Sequence, residues 1–496
     1  MNPYSNFAAE IKEILHLQNA KSMLLWDQRC YMPPAGISQR GASVSILSRI
    51  IHEKITKMSD VLELKKNPEL SPSQQREIDL FIREYDRRVK IPSELVVQLQ
   101  KQSMLTEVTW MKAKQRSDFA MVQPELEKMI DLVKQKAEAL DPSKDPWDNL
   151  VDDFEPNMTG DKIESLFSQV KDGVVSLIKK YDTAIADCED VPRISVLDAP
   201  ASLDQLQQMS QYALKVLDLP DTRLRLDESA HPFTSGYLDD VRLTTHYLPG
   251  TPMSSWFSTL HEAGHGIYDL NLPRDTAWML RGESISSGIH ESQSRFIENI
   301  IGKNPAFLEY VFPKFQELIP PYQAVSFYDF NRAVNSINPS KIRIYADEIT
   351  YFLHIVMRFE IERDLFAGRI QVNELPQVWN EKMENYLGQT INNDAEGVLQ
   401  DTHWYIGYFG YFPSYALGNL YNAQMLHTMK HAIPDYEDLL RKGEVSPILS
   451  WLKTNVHEKG NETDALPFIE NLSGERLNPH YFLDYAEMKF GKIYNF

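Results

Sequence analysis

Apolar residues recur at helical spacing over most of this chain. Phe7, Ile11, Ile14, Leu15 and Leu17 share one face and predict an amphipathic first helix. Ser93 is placed to cap a long helix through Leu95, Val96 and Leu99, with a new one starting at Pro124. Thr159 is placed to cap a helix carrying Ile163, Leu166, Val170, Val174 and Leu177, and Ser202 another that ends near Pro220. Ser340 is expected to cap a helix holding Ile342, Ala346, Ile349 and Leu353, with Gly368 beyond its end. Pro376 fits the first turn of a shorter helix closed by Gly388. Period-2 signals are few. Residues 223–227 alternate charged and apolar, and 241–247 are rich in β-branched and aromatic types. With the stretch around Ser195 they predict one small sheet. No Pro/Gly/Ser-rich linker interrupts the pattern. The expectation is a mainly α architecture with a small β-sheet, one unit over residues 1–496 with two lobes around a groove.

Directly after the predicted sheet the chain reads S-T-L-H-E-A-G-H-G-I-Y-D at 258–269. The spacing of His261 and His265 puts two imidazoles one turn apart on one helix face, with Glu262 beside the first. Ser254 or Ser255 is the expected cap. A motif this short occurs by chance, so its surroundings must decide. A catalytic zinc site needs a third protein ligand and an open position. Glu291, in the polar run S-S-G-I-H-E-S-Q, opens a helix that starts after Gly288; Glu298 and Glu283 are the rival carboxylates. Asp269, four residues after His265, is a candidate to fix that imidazole's tautomer, or else a solvated helix-end acid. Gly264 and Gly266 each cost about 1 kcal/mol inside a helix. They fit a place where another backbone comes close, such as a second helix bringing the third ligand.

Composition narrows the function. A formal charge of −19 argues against nucleic acid and against an anionic membrane surface. No run of 18 apolar residues exists, and the first residues lack a basic segment followed by an apolar one. The two cysteines, Cys30 and Cys188, read as small core residues of a reducing compartment, so a cytoplasmic chain is expected.

Several ordered stretches together resemble one family, the carboxypeptidase Taq-type metallocarboxypeptidases. They are L-L-W-D-Q at 24–28, M-P-P-A-G at 32–36, F-E-P-N-M-T at 154–159, H-P-F at 231–233 and D-V-R-L-T at 240–244. H-E-A-G-H at 261–265, H-E-S-Q at 290–293, I-R-I-Y-A-D at 342–347, G-V-L-Q-D-T-H-W at 397–404 and G-Y-F-P-S-Y-A-L-G at 410–418 follow. The resemblance spans nearly the whole chain. It implies a two-lobed helical groove fold similar to neurolysin and angiotensin-converting enzyme. It implies removal of single C-terminal residues from peptides with broad specificity, poor action on C-terminal proline, and a homodimer. It makes His261, His265 and Glu291 the metal ligands and Glu262 the general base. Zinc is the expected metal, with cobalt or manganese as alternatives. His403 and Tyr411 become the candidate oxyanion donors, with Tyr415 as the rival phenol.

A C-terminal exopeptidase must also hold a free carboxylate, which arginine does through paired charge-assisted hydrogen bonds. Arg343 and Arg242 lie in family motifs implicated in substrate recognition, and His231 is placed to line the same end of the groove. The bland alternatives are an Arg343–Asp347 pair, Arg242 pairing with Asp239 or Asp240, and a turn histidine before Pro232. The strand at 241–247 is a candidate edge for an extended substrate. Two other functions remain open: an endo-acting oligopeptidase on the same scaffold, and a non-catalytic peptide-binding helical protein.

Overall fold

The computed structural model describes residues 3–186 and 192–496, so Cys188 lies outside the described residues. The described chain is mainly helical, with one three-stranded sheet in strand order β1-β3-β2. The first helix, Pro3–Cys30, buries Phe7, Ile11, Ile14 and Leu15. With Ile51, Ile55, Ile78 and Phe81 they form a small apolar cluster of their own. The large core is built around the helices that carry the candidate site. Cys30 ends the first helix half-buried and is not a core residue.

Several helix boundaries follow their caps. Ser202 accepts from Gln205 N while the Gln205 side chain returns to Ser202, a capping box that starts Leu203–Val216. Thr159 Oγ1 accepts from Lys162 N ahead of Gly160–Ala186. Leu375–Leu387 has Pro376 in its first turn and ends on Gly388 at φ +64°. A helix also runs from Gln123 to Leu140 with Pro124 in its first turn.

Other expectations are corrected. Ser93 is the first helical residue of Ser93–Arg116 and caps nothing; Pro92 precedes it, and Ser117 at φ +54° ends the helix. Ser340 does not start a helix. Residues 343–345 form a single 3-10 turn, and the helix begins only at Thr350, where Asp347 accepts from the backbone N–H of Ile349 and Thr350. The cause is tertiary: Arg343 donates through its backbone N to Gln400 and through its side chain to Asp401, which holds this segment off the helical path. The stretch around Ser195 is a 3-10 turn, not a strand.

The sheet comprises β1 (Leu224–Glu228), β2 (Thr234–Tyr237) and β3 (Asp240–Thr245). β3 pairs in parallel with β1 and antiparallel with β2. It is therefore the central strand and offers no free edge, contrary to expectation; β2 is an outer strand. Val241 and Leu243 point to the HExxH helix, Pro252–Leu270, where Gly266 lets Leu243 approach. That helix starts at Pro252 without a side-chain cap; Ser255 instead donates to His246 O.

Candidate metal centre

Two helices and a sheet bring the site together. The HExxH helix presents His261 and His265 on one face, with ring centroids 5.0 Å apart and planes at 83°. The return helix, Ser287–Arg295, begins two residues earlier than expected, with Ser286 Oγ accepting from Ile289 N. Gly264 sets how closely the two helices pack. A Cβ there would lie 2.5 Å from both Gln293 O and Ser294 Cα, so only glycine fits. Gly418, on the helix Pro413–Ala432, plays the same part from the other side, where a Cβ would lie 2.9 Å from Glu291 Cγ.

Glu291 Oε2 is thereby held 3.4 Å from His265 Nε2 and 3.7 Å from His261 Nε2. One ligating atom from each of the three lies within 4.8 Å of the others, the only such set of three or more among the described residues. Metal–ligand bonds of about 2.05 Å at tetrahedral angles set ligands about 3.4 Å apart. The three atoms therefore fit one small divalent ion. A divalent ion is what a donor set of two imidazoles and one carboxylate suits.

Neighbouring side chains fix this set. His261 Nδ1 donates to Glu298 Oε2 at 2.9 Å. Glu298 is thus taken up with His261, whose ring it orients, and does not join the close set of ligating atoms. Asp269 does not serve His265: it pairs with His290 Nε2 at 3.0 Å, and the His290 ring stacks on His265 at 4.5 Å. His265 Nδ1 is buried with no partner. Glu283, the other rival, faces the charges of Asp269 and Glu77 instead. Burial alone would raise the pKa of Glu291 and Glu298. His261 and Arg295 around Glu291, and Lys303 and Arg295 around Glu298, reverse this and hold both carboxyls below the usual range.

Glu262 is buried at the edge of a cavity of about 420 Å³. Thr234 Oγ1 donates to Glu262 Oε2 at 2.6 Å and to its backbone oxygen at 3.0 Å. Sequence reasoning missed Thr234, although it directly follows H-P-F. The cavity is also walled by Phe233, Ser286, Tyr411 and Tyr415. His403 stands behind this wall, stacked on Tyr411 with centroids 5.4 Å apart and planes at 18°. Burial pushes its imidazole down to about 4; Asp401 opposes this, and Arg343 and Arg358 reinforce it. It is therefore neutral at pH 7. Burial also raises the phenols of Tyr411 and Tyr415, so both keep their O–H protons.

Residues 6–490 match the carboxypeptidase Taq (M32) metallopeptidase family. The chain belongs to that family. It is 37% identical to carboxypeptidase 1 of Bacillus subtilis, covering 98% of this chain and 97% of that one. It is 34% identical to thermostable carboxypeptidase 1 of Thermus thermophilus, covering 99% of each. A solved Pyrococcus furiosus carboxypeptidase superposes with a TM-score of 0.95 at 31% identity, covering 99% of each chain. The mainly helical fold with its small sheet is thus the M32 fold. The chain is a metallocarboxypeptidase, a peptide hydrolase that works with a divalent metal. Among the described residues, no helix is long and apolar enough to cross a membrane.

None of the three remaining candidates, Arg343, Arg242 and His231, lines the cavity. Arg343 is buried, and its partner is Asp401, not Asp347. Its Nε and Nη2 donate to Asp401 Oδ1, and Nη1 donates to Tyr351 OH at 2.8 Å. Its guanidinium carbon lies 5.3 Å from the Tyr415 ring. Arg295, bonded to Glu291 at 2.9 Å, lies over the same Tyr351 ring that Arg343 reaches, 4.5 Å from its centroid. A continuous chain of contacts therefore joins Glu291 to Arg343. Arg242 is bonded through Nε and Nη2 to Asp240 and lies over Trp26 of the first helix, outside the cavity wall. His231 is exposed and also outside that wall.

Proposed function

We propose that this chain removes single residues from peptide C-termini, with His261, His265 and Glu291 holding one ion and Glu262 acting as general base. The observation that carries this is the convergence of three ligating atoms within 4.8 Å in the cavity that also holds Glu262. Zinc suits the set best, with cobalt or manganese as substitutes. When bound there, the ion would supply Lewis-acid chemistry, activating a water and polarising the scissile carbonyl.

The chain's own residues do the rest. Glu262 accepts the proton that the attacking water loses, and returns it to the leaving amine nitrogen as the C–N bond breaks. Thr234 occupies one oxygen of this carboxylate, which fixes the plane of the other. Tyr411, or Tyr415 beside it, donates its O–H to the oxyanion of the tetrahedral intermediate. Neutral His403 is stacked so as to orient Tyr411 or to donate in its turn. Arg343 pairs with the substrate's C-terminal carboxylate through the second N–H of Nη1 and Nη2, while Asp401 holds its position. Arg242 and His231 belong to the outer end of the same groove. The outer strand β2 offers backbone hydrogen bonds that ignore side-chain identity, which suits broad specificity. A C-terminal proline, lacking the amide N–H, is then a poor substrate. The family likeness supports a single two-lobed unit, a homodimer and a cytoplasmic location as parts of the same reading.

Mass analysis of products from an unmodified peptide and its C-terminal amide tests this. Stepwise loss of one C-terminal residue from the free acid is expected, abolished by a chelator and restored by divalent metal. Internal cleavage, or equal turnover of the amide, would identify an endo-acting oligopeptidase. No chelator-sensitive hydrolysis would favour a binding protein.

A further inference from the structure

The helix Pro413–Ala432 starts at the cavity and carries a second histidine pair near its far end. His427 and His431 are four residues apart, with ring centroids separated by 5.0 Å and planes at 84°. The HExxH pair has the same separation, at 83°. The two Nε2 atoms of the second pair face each other at 3.4 Å. That is long for an N–H hydrogen bond, which is normally 2.7–3.2 Å. It equals the edge of about 3.4 Å expected between two imidazole ligands of one tetrahedral ion.

The surroundings hold the pair ready. The His427 ring is stacked on Tyr481 at 4.0 Å and 26°, which fixes its direction. Tyr481 OH in turn donates to Glu475. Glu475 and Asp484 add negative charge near His427, and the helix's last carbonyls do the same. The opposing charge in that turn, Lys430, is drawn over the Tyr436 ring at 5.4 Å. His431 is exposed, so water can reach the remaining coordination positions.

We propose that His427 and His431 form a second, solvent-facing site for a borderline transition-metal ion such as Ni²⁺, Cu²⁺ or Zn²⁺. Two neutral imidazoles suit these ions and not Mg²⁺ or Ca²⁺. With two protein ligands against three, the site binds more weakly than the cavity. It is separate from the cavity: twelve residues along one helix from Tyr415 to His427 correspond to about 18 Å of axial rise. Total metal per chain is therefore not a measure of loading in the cavity.

The test loads the enzyme with one equivalent of Zn²⁺ and then titrates Ni²⁺ by calorimetry. About one further ion per chain is expected. His431→Gln, an exposed change that leaves the Tyr481 stack intact, should abolish that uptake and leave peptidase activity unchanged; His427→Ala should do the same. Absence of uptake in the parent protein, or uptake that survives His431→Gln, overturns the proposal. Mg²⁺ in place of Ni²⁺ should give no heat of binding, and equal binding of Mg²⁺ would also overturn it. Zinc retained through the titration reports on His261, His265 and Glu291 alone, so failure of the cavity reading and failure of this one are told apart.

Discussion

Oε2 of Glu298 accepts a hydrogen bond from Nδ1 of His261 at 2.9 Å across 37 residues of sequence. The bond fixes the tautomer that turns Nε2 toward Glu291. Its loss should be felt in metal affinity before it is felt in chemistry. Glu298→Gln is expected to weaken metal binding by about 10–100-fold. Competition against a chromophoric chelator measures this. Unchanged affinity would mean that His261 needs no such partner.

Glu262 shares its cavity with the triad but is not part of the close set of ligating atoms. Glu262→Gln should keep the metal and lose turnover, with kcat lower by a factor of about 10²–10⁴. Thr234→Val should retain metal as well and lower kcat by less. Wild-type rates for Glu262→Gln, with metal content matched, would remove the base assignment.

Arg343 is half of a buried pair with Asp401, so Arg343→Ala carries a stability cost of about 3–5 kcal/mol as well as any functional one. The two effects separate by comparing substrates on the same variant. KM should rise and kcat/KM fall for free-acid peptides, with little change for amidated ones, if those are cut at all. Arg343→Lys keeps the charge but loses the planar fork, and should resemble the alanine variant on free acids. Equal losses on both substrates would remove the carboxylate-clamp role.

Glu283 has its pKa raised to about 7 by burial, then by Asp269 and Glu77. Its ordinary value is 4.5. Between these two values the folded chain binds more protons than the unfolded chain, so this group makes stability fall as pH rises. Glutamine imitates the protonated form. Glu283→Gln should therefore raise Tm at pH 8 and change it little below about pH 4.5. Calorimetric scans at both pH values check the sign. A lower Tm at pH 8 would show that the carboxylate is stabilising where it stands.

The centre of the site was legible because its geometry is local. A four-residue interval on a helix sets His261 against His265 without reference to anything distant. Glu291 stands out by its polar run and its motif, and the fold brings it to both histidines. Where the fold departs from the local pattern, residues far away in sequence are the cause. Asp269 lay at the right interval for His265, but the His290 ring comes between them and takes the bond. Ser340 had the sequence of a cap, but Asp401 and Gln400 hold Arg343 in a non-helical turn. β2 is not legible in the sequence because T-S-G-Y is short and contains Gly236 at φ +126°, so it lacks a strand's usual composition. Strands β1 and β3 and several of the long helices are legible in the residue pattern, since each buries one face.

The return helix is gripped between two notches, Gly264 on one side and Gly418 on the other. Both contacts fall on the same turn that carries Glu291. The distance from that carboxylate to the histidines is thus set by two close approaches, backbone against backbone at Gly264 and backbone against the root of the Glu291 side chain at Gly418. A single methyl group at position 418, more than 150 residues from the HExxH motif, would act on the metal centre like a shim driven into a dovetail joint. It would shift the carboxylate against the imidazoles while leaving every polar residue of the site in place.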